Sequence, residues 1–298
     1  MKPRLIVIAG PTASGKTSCA IQLAQKWGCP IVSADSRQLY RELNIGVARP
    51  SLSELEQAAH HLIASHSIHA PLNAGSYAQT ALALINRLHT QHHTVILCGG
   101  TGLYIKALIE GLDPLPHNPS VRRKFEELFK LKGIEGLQHE LQILDPLFYK
   151  HAERSNPQRM IRYLELVELT NKSNLDLREQ KKQDRPFITY YYWLNIEREE
   201  LNMRINQRVE QMIEQGLEAE VTQLLPYSQE PLLKTVGYSE FFAYFNQEIS
   251  LQECVKQIKL NTRRYAKRQR TWFKNQANAI AVTDCNEILK HLEPIKSV

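Results

Sequence analysis

Leu5-Ile6-Val7-Ile8-Ala9-Gly10-Pro11-Thr12-Ala13-Ser14-Gly15-Lys16-Thr17 is the stretch that decides the fold of this chain. Leu5 to Ile8 form a continuous apolar run, the pattern of a strand buried on both faces of a parallel sheet. Gly10, Pro11, Thr12, Ala13, Ser14, Gly15, Lys16 and Thr17 then satisfy G-x-x-x-x-G-K-[ST] in full. The glycines let backbone amides turn toward an anion, and the following helix start adds unpaired N–H groups and a positive dipole end. Ala20, Leu23, Ala24 and Trp27 recur at helical spacing, and Gly28 and Pro30 close that helix. Strand, loop and helix in this order predict a phosphate-binding loop. Lys16 would reach the outer phosphate, and the Thr17 hydroxyl would sit on Mg²⁺.

Working outward, Ile31-Val32 begins a short second strand that ends near Asp35, and a later strand at 94–98 ends in Gly99-Gly100. Strands alternating with helices predict an α/β core. The pattern changes after Leu112. Residues 113–119 carry three prolines and read as a linker. From about 120 to 182 only helical periodicity appears, interrupted at Asp145-Pro146 and at Asn156-Pro157. Pro157 suits the first position of a helix carrying Met160, Ile161, Leu164 and Val167. A strand at 187–194 returns to the core, and 197–225 and 250–274 read as two further long helices. The expected fold is an α/β, P-loop NTPase-like, doubly wound parallel sheet, with core segments 1–112 and 187–298. An all-helical insertion domain is expected at 113–186.

The 298 residues are 43% hydrophobic, 23% charged and 8% aromatic, ordinary for a globular protein and unlike a disordered chain, a fibre or a membrane protein. No N-terminal apolar run is long enough for a secretory leader or a membrane span. The five cysteines are scattered, with no C-x-x-C pair, so neither a zinc site nor a disulfide framework is expected. A reduced, cytoplasmic setting is. The net charge is +6, yet eight basic and no acidic residues fall between Lys256 and Lys274, leaving the rest of the chain at −2. Lys256, Lys259, Arg263, Lys267, Arg270 and Lys274 follow at steps of 3, 4, 4, 3 and 4, which keeps all six on one helical face. Val255, Ile258, Tyr265 and Trp272 form a separate apolar line that can dock on the core. A basic stripe with a docked back suits the phosphates of a nucleic acid, though a solvated face stays open at this point.

A motor-type NTPase is disfavoured, because the strand at 94–98 ends in Gly99-Gly100 rather than in a metal-binding Asp. Asp35 is the conspicuous carboxylate instead. In doubly wound sheets ligands bind outside the carboxyl ends of strands, so Asp35 should face the crevice of Lys16 and Thr17, where it suits a general base. It could equally cap a helix starting near Arg37.

Six motifs occur in order: the phosphate loop at 10–17, Ser-Ala-Asp-Ser-Arg-Gln-Leu-Tyr at 33–40, Gly-Gly-Thr-Gly-Leu-Tyr at 99–104, Pro-Gln-Arg at 157–159, Val-Gly-Tyr at 236–238 and Lys-Arg-Gln-Arg-Thr-Trp-Phe at 267–273. Across nearly its whole length the chain resembles the bacterial tRNA dimethylallyltransferases. The resemblance implies transfer of a dimethylallyl group from its diphosphate to N6 of adenosine 37, in tRNAs that read codons beginning with U. It implies Asp35 as the base on N6, Thr101 near the reacting centre and Arg208 on the diphosphate, with Mg²⁺ as cofactor. The implied tRNA contacts are Asp35, Ser36, Arg37 and Gln38; Thr101 and Arg122; Gln158, Arg159, Met160, Ile161 and Arg162; Lys234, Thr235, Val236, Gly237, Tyr238 and Ser239; and Lys267, Arg268, Gln269, Arg270, Thr271, Trp272, Phe273 and Lys274. Arg123 beside Arg122 competes for that one role. The family's insertion clamps the anticodon stem-loop, and the partners expected are tRNA and dimethylallyl diphosphate, with no membrane and a monomeric enzyme. Simpler roles stand beside these: Thr101 as a helix cap before Leu103, Arg208 as a surface residue and the insertion as a lid.

Three other readings share the phosphate loop. A P-loop kinase of a nucleoside or small metabolite would also use Mg²⁺ and Asp35, but has no use for the basic helix. A non-catalytic RNA-binding switch leaves Asp35 and Thr101 idle. An enzyme prenylating free adenine nucleotides cannot engage both the insertion and the basic helix.

Overall fold

The computed structural model describes residues 2–113, 115–177 and 183–292; the end of the helical stretch expected at 120–182 therefore lies outside the described residues. Within them the chain runs β1 (Arg4–Ala9), α1 (Lys16–Trp27), β2 (Ile31–Ser33), α2 (Leu52–Gln57), β3 (His60–His61), α3 (Ala74–Leu88), β4 (Thr94–Gly99) and α4 (Gly102–Glu110). It continues through α5 (Pro119–Leu144), α6 (Pro146–Tyr149), α7 (Pro157–Thr170) and β5 (Ile188–Leu194). The last elements are α8 (Arg198–Glu214), α9 (Leu217–Gln223), α10 (Ser239–Phe245), α11 (Leu251–Lys274), β6 (Ile280–Val282) and α12 (Cys285–Leu292). The chain divides into two compact units, 1–109 with 184–298, and 110–183.

The larger unit holds a six-stranded sheet in the order β3-β2-β4-β1-β5-β6, parallel throughout. This is the P-loop NTPase-like fold. The phosphate-loop strand β1 is central, pairing Leu5 with Val95 of β4 and with Thr189 of β5. Its side chains alternate between two cores, as a strand period of two requires. Leu5, Val7 and Ala9 pack with Val95, Leu97, Tyr191 and Trp193 on one face. Ile6 and Ile8 pack with Ile96, Tyr192, Leu194 and the α1 residues Ala20, Leu23 and Ala24 on the other. Because all the strands run the same way, their carboxyl ends share one edge, where the loops at Gly10, Asp35, Gly100 and Asn195 emerge.

The smaller unit is helical and has its own core, built by Phe125, Leu137, Leu141, Phe148, Met160, Ile161 and Leu164. Pro157 opens α7 with Asn156 as its cap, and Asp145 caps α6 before Pro146. Two helices differ from expectation. Gly133 takes φ 65° inside α5 and breaks it. The single helix expected at 197–225 is two, α8 and α9, because Gly216 adopts φ 95°, a left-handed conformation that ends one helix and starts the next.

Candidate active site at the carboxyl edge of the sheet

The phosphate loop leaves β1 through Gly10 and enters α1 at Gly15, whose φ of 87° a side-chain-bearing residue adopts only under strain. Ala13, Ile196, Leu201, Ile205 and Ala266 form a small core that backs the loop with α8 and α11. The Ser14 hydroxyl is buried without a hydrogen-bond partner among the described residues, as expected where an anion is to be received. Lys16 donates to the Pro11 carbonyl at 2.7 Å, across the mouth of the loop. Burial depresses its ammonium to about 8, while the neighbouring Asp35 favours the charged form and Arg208 opposes it. Lys16, Asp35 and Arg208 therefore share one electrostatic environment. Arg208 also donates to the Thr12 hydroxyl at 3.4 Å, and Arg204, one turn earlier on α8, brings its guanidinium beside Gly15.

Asp35 does not cap a helix, since residues 36–39 form a turn. Its Oδ1 accepts from the Arg37 and Gln38 amides at 2.9 and 3.3 Å. The Thr101 hydroxyl is tied to the same loop rather than capping α4: it accepts from the Ser36 amide at 2.9 Å and lies 3.2 Å from the Ser36 hydroxyl. The Thr101 amide donates to the Ala34 carbonyl at 3.1 Å. Tyr77 and Tyr104 stack 4.1 Å apart behind this loop, with the Tyr77 hydroxyl on the Ser33 carbonyl. Burial raises both phenol pKa values, and the nearby Asp35 charge adds to the effect. Loops from β1, β2 and β4 thus bring an anion cradle, a carboxylate and a hydroxyl to one edge.

A family model described as IPP transferase matches residues 38–276. The chain belongs to the IPP transferase family. The chain is 42% identical to a tRNA dimethylallyltransferase of Flavobacterium johnsoniae, over 98% of each chain. It is 41% identical to that of Cytophaga hutchinsonii, over 92% of this chain and 90% of the relative. Among solved structures, the tRNA isopentenylpyrophosphate transferase of Bacillus halodurans superposes with a TM-score of 0.72 at 31% identity, covering 99% of this chain and 95% of that one. A eukaryotic dimethylallyltransferase described as acting on tRNA gives 0.78 at 25% identity, covering 99% and 77%.

The IPP transferase resemblance pointed to a long set of RNA-facing residues, and the structure sorts them. Arg37, Gln38, Thr235, Val236 and Arg162 are half-buried, and Lys234, Ser239, Gln158, Arg159, Lys267, Arg268, Thr271 and Lys274 are exposed. Five others are turned inward. Met160 and Ile161 belong to the core of the smaller unit. Phe273 and Tyr238 are fully buried, and the Tyr238 hydroxyl donates to Glu220 at 2.6 Å. Gln269 is buried and bonded within the protein. The side chains of these five pack or hydrogen-bond within the protein, and spacing alone does not separate such residues from RNA contacts. Arg122 donates to Glu126 and Gln158, whereas Arg123 is exposed.

The basic stripe on α11 is also less open than its spacing suggests. Lys259 pairs with Glu210 at 2.7 Å, Arg263 donates to Asn206 at 2.7 Å, Lys256 pairs with Glu253 at 3.3 Å, and Arg270 donates to Asn195 at 3.2 Å. Lys267 and Lys274 have no such partner among the described residues. The docked line differs too. Cys254, Ile258, Ala266 and Phe273 are its buried apolar residues, with Val255, Tyr265 and Trp272 at their margin.

Two carboxylates were not legible in the sequence. Glu220 accepts from the Ile45 and Gly46 amides and from Tyr238, pinning the loop that follows Asp35 to the Val-Gly-Tyr segment. Glu165, fully buried in the smaller unit, accepts from His117 at 2.6 Å and from Arg162 and the Asn118 amide at 2.9 Å. Only its place on the apolar face of α7 hinted at such a role. Among the described residues no helix is long and apolar enough to cross a membrane, and no group of three or more His, Cys, Asp or Glu side chains is placed to hold a metal.

Proposed function

We propose that this chain transfers a dimethylallyl group from dimethylallyl diphosphate to N6 of adenosine 37, in cytoplasmic tRNAs that read codons beginning with U. The observation that carries this reading is the gathering at one edge of the sheet of the 10–17 loop with Lys16, of Arg208 on Thr12, and of the Asp35 turn tied to Thr101. An electrophile with a diphosphate leaving group needs cation and amide donors on one side of its breaking bond. An amine nucleophile needs an acceptor on the other.

As the allylic C–O bond breaks, negative charge grows on the diphosphate. The loop amides, Lys16 and Arg208 stabilise that charge more than they stabilise the intact donor, which lowers the barrier. The N6 lone pair is delocalised into the ring, so the amine attacks well only as its proton leaves. Asp35, whose Oδ1 accepts from the Arg37 and Gln38 amides, takes that proton. Thr101 fixes the Asp35 loop through Ser36. The donors at this edge are a hydroxyl, Thr17, and a carboxylate, Asp35, both hard oxygens suited to Mg²⁺, which takes few protein ligands when substrate phosphates supply the rest. Thr17 would hold the ion, and Mg²⁺ when bound neutralises charge on the departing diphosphate.

The adenine must leave the anticodon stack to reach this edge, at a cost of a few kcal/mol. Lys267 and Lys274 on α11, and Gln158, Arg159 and Arg162 on the smaller unit, offer polar side chains for the RNA. The test is incubation with labelled dimethylallyl diphosphate, Mg²⁺ and unmodified tRNA bearing adenines at 36 to 38. Label enters the RNA under this reading. Label moving from ATP to a small acceptor, with none from the prenyl donor, establishes the kinase instead.

A further inference from the structure

Gln269 sits in the middle of the basic segment 267–274, yet its side chain points the other way. It is 6% exposed. Its Oε1 accepts from the Thr12 amide at 2.9 Å, and its Nε2 donates to the Gly100 carbonyl at 2.9 Å. One buried amide therefore joins the phosphate loop to the turn carrying Thr101, from a helix whose neighbouring residues Lys267 and Arg268 are exposed. The approach is close enough that a Cβ on Gly100 would lie 2.4 Å from Nε2. A second grip lies one turn on, where a Cβ on Gly102 would lie 1.9 Å from the Trp272 indole nitrogen. Both glycines of this turn are thus filled by α11 side chains.

We propose that Gln269 is a positioning residue that couples RNA on the outer face of α11 to the shape of the phosphate loop. The proposal rests on the prenyl-transfer reading and deepens it. Gln269 fixes where the Thr12 amide points, and Thr12 also receives Arg208. Any displacement of α11 when RNA phosphates engage Lys267 and Arg268 is transmitted through two hydrogen bonds to the loop that receives the diphosphate. Linkage makes the effect mutual: RNA tightens diphosphate binding by the same factor by which diphosphate tightens RNA. The two sites differ: Thr12 N–H needs an acceptor and the Gly100 carbonyl needs a donor, and at neutral pH the Gln269 carboxamide serves both where a carboxylate cannot.

The test measures binding of inorganic diphosphate with Mg²⁺, by calorimetry, with and without unmodified tRNA. In the wild-type protein tRNA should tighten diphosphate by about tenfold, within the usual range of such couplings. In Gln269→Leu the factor should fall below about 2, while tRNA affinity without diphosphate stays within about twofold of wild type. Gln269→Glu guards against a variant that does not fold. Its ionised carboxylate opposes the Gly100 carbonyl, whereas the protonated acid presents an O–H there and keeps an acceptor for Thr12. Its coupling factor should therefore recover between pH 8 and pH 6, a change the wild type does not show. Wild-type coupling retained in Gln269→Leu overturns the proposal, as does an uncoupled wild type. So does a tRNA affinity weakened by more than about tenfold without diphosphate, which would make Gln269 a direct RNA contact. No prenyl transfer by the wild type would overturn the proposed function alone, because this measurement involves no chemistry.

Discussion

Raising the pH from 7 to 9 should weaken diphosphate binding through one lysine. Burial depresses the Lys16 ammonium to about 8. A diphosphate recognises only the charged form. With that pKa the charged fraction is about 90% at pH 7 and about 10% at pH 9, so affinity falls about tenfold, or about 1.4 kcal/mol. The sign follows from the protonated form being the binder: tight binding is present below pH 8 and is lost as pH rises through it. The ligand and Mg²⁺ also titrate, so the control is Lys16→Arg, whose guanidinium stays charged throughout. Calorimetric titration of inorganic diphosphate with Mg²⁺ at pH 7, 8 and 9 should give a steep profile for wild type and a flatter one for the variant. Parallel profiles would refute the assignment of Lys16 as a half-buried cation that binds the phosphate.

Asp35→Ala should lower turnover about 10²–10⁴-fold as the loss of a general base; near-normal single-turnover rates would reduce Asp35 to a turn cap. Lys267→Ala should shallow the salt dependence of RNA binding by about one unit of slope, whereas Lys259→Ala, already paired with Glu210, should leave it unaltered. Equal effects at the two positions would return α11 to a uniform charged face. Burial raises the Glu165 pKa, but its bonds to the Asn118 amide, Arg162 and His117 outweigh that and hold it below the ordinary carboxylate range. Its stabilising contribution is present above the unfolded carboxylate pKa and fades as pH falls through the lower folded value. Glu165→Gln should therefore lower the thermal midpoint at pH 7 more than at pH 3, and equal shifts at the two pH values would contradict that account.

The parallel core and the phosphate loop were readable because both are local: β1 is an unbroken apolar run, and the loop is a contiguous motif with a strand before it and a helix after. The helical spacing from about 120 onward is local in the same way, and it follows the proline-rich stretch at 113–119. Side-chain direction was harder. Gln269, Tyr238, Met160 and Ile161 stand next to exposed residues such as Arg268, Ser239 and Arg159, and only the packed structure separates the inward ones. The stripe on α11 had the same limit, because its spacing shows one face but not that Glu210, Asn206 and Asn195 occupy part of it. Glu165 and Glu220 gain their partners from segments distant in sequence, such as His117 and Gly46, so spacing along the chain does not reveal those partners.

The most direct test is a crystal structure of the chain with an anticodon stem-loop and an unreactive thio analogue of the prenyl diphosphate. The account predicts the diphosphate in the 10–17 loop against Lys16, and the Asp35 carboxylate about 3 Å from adenine N6. An Asp35 side chain turned to bulk solvent, with both substrates bound, would contradict it.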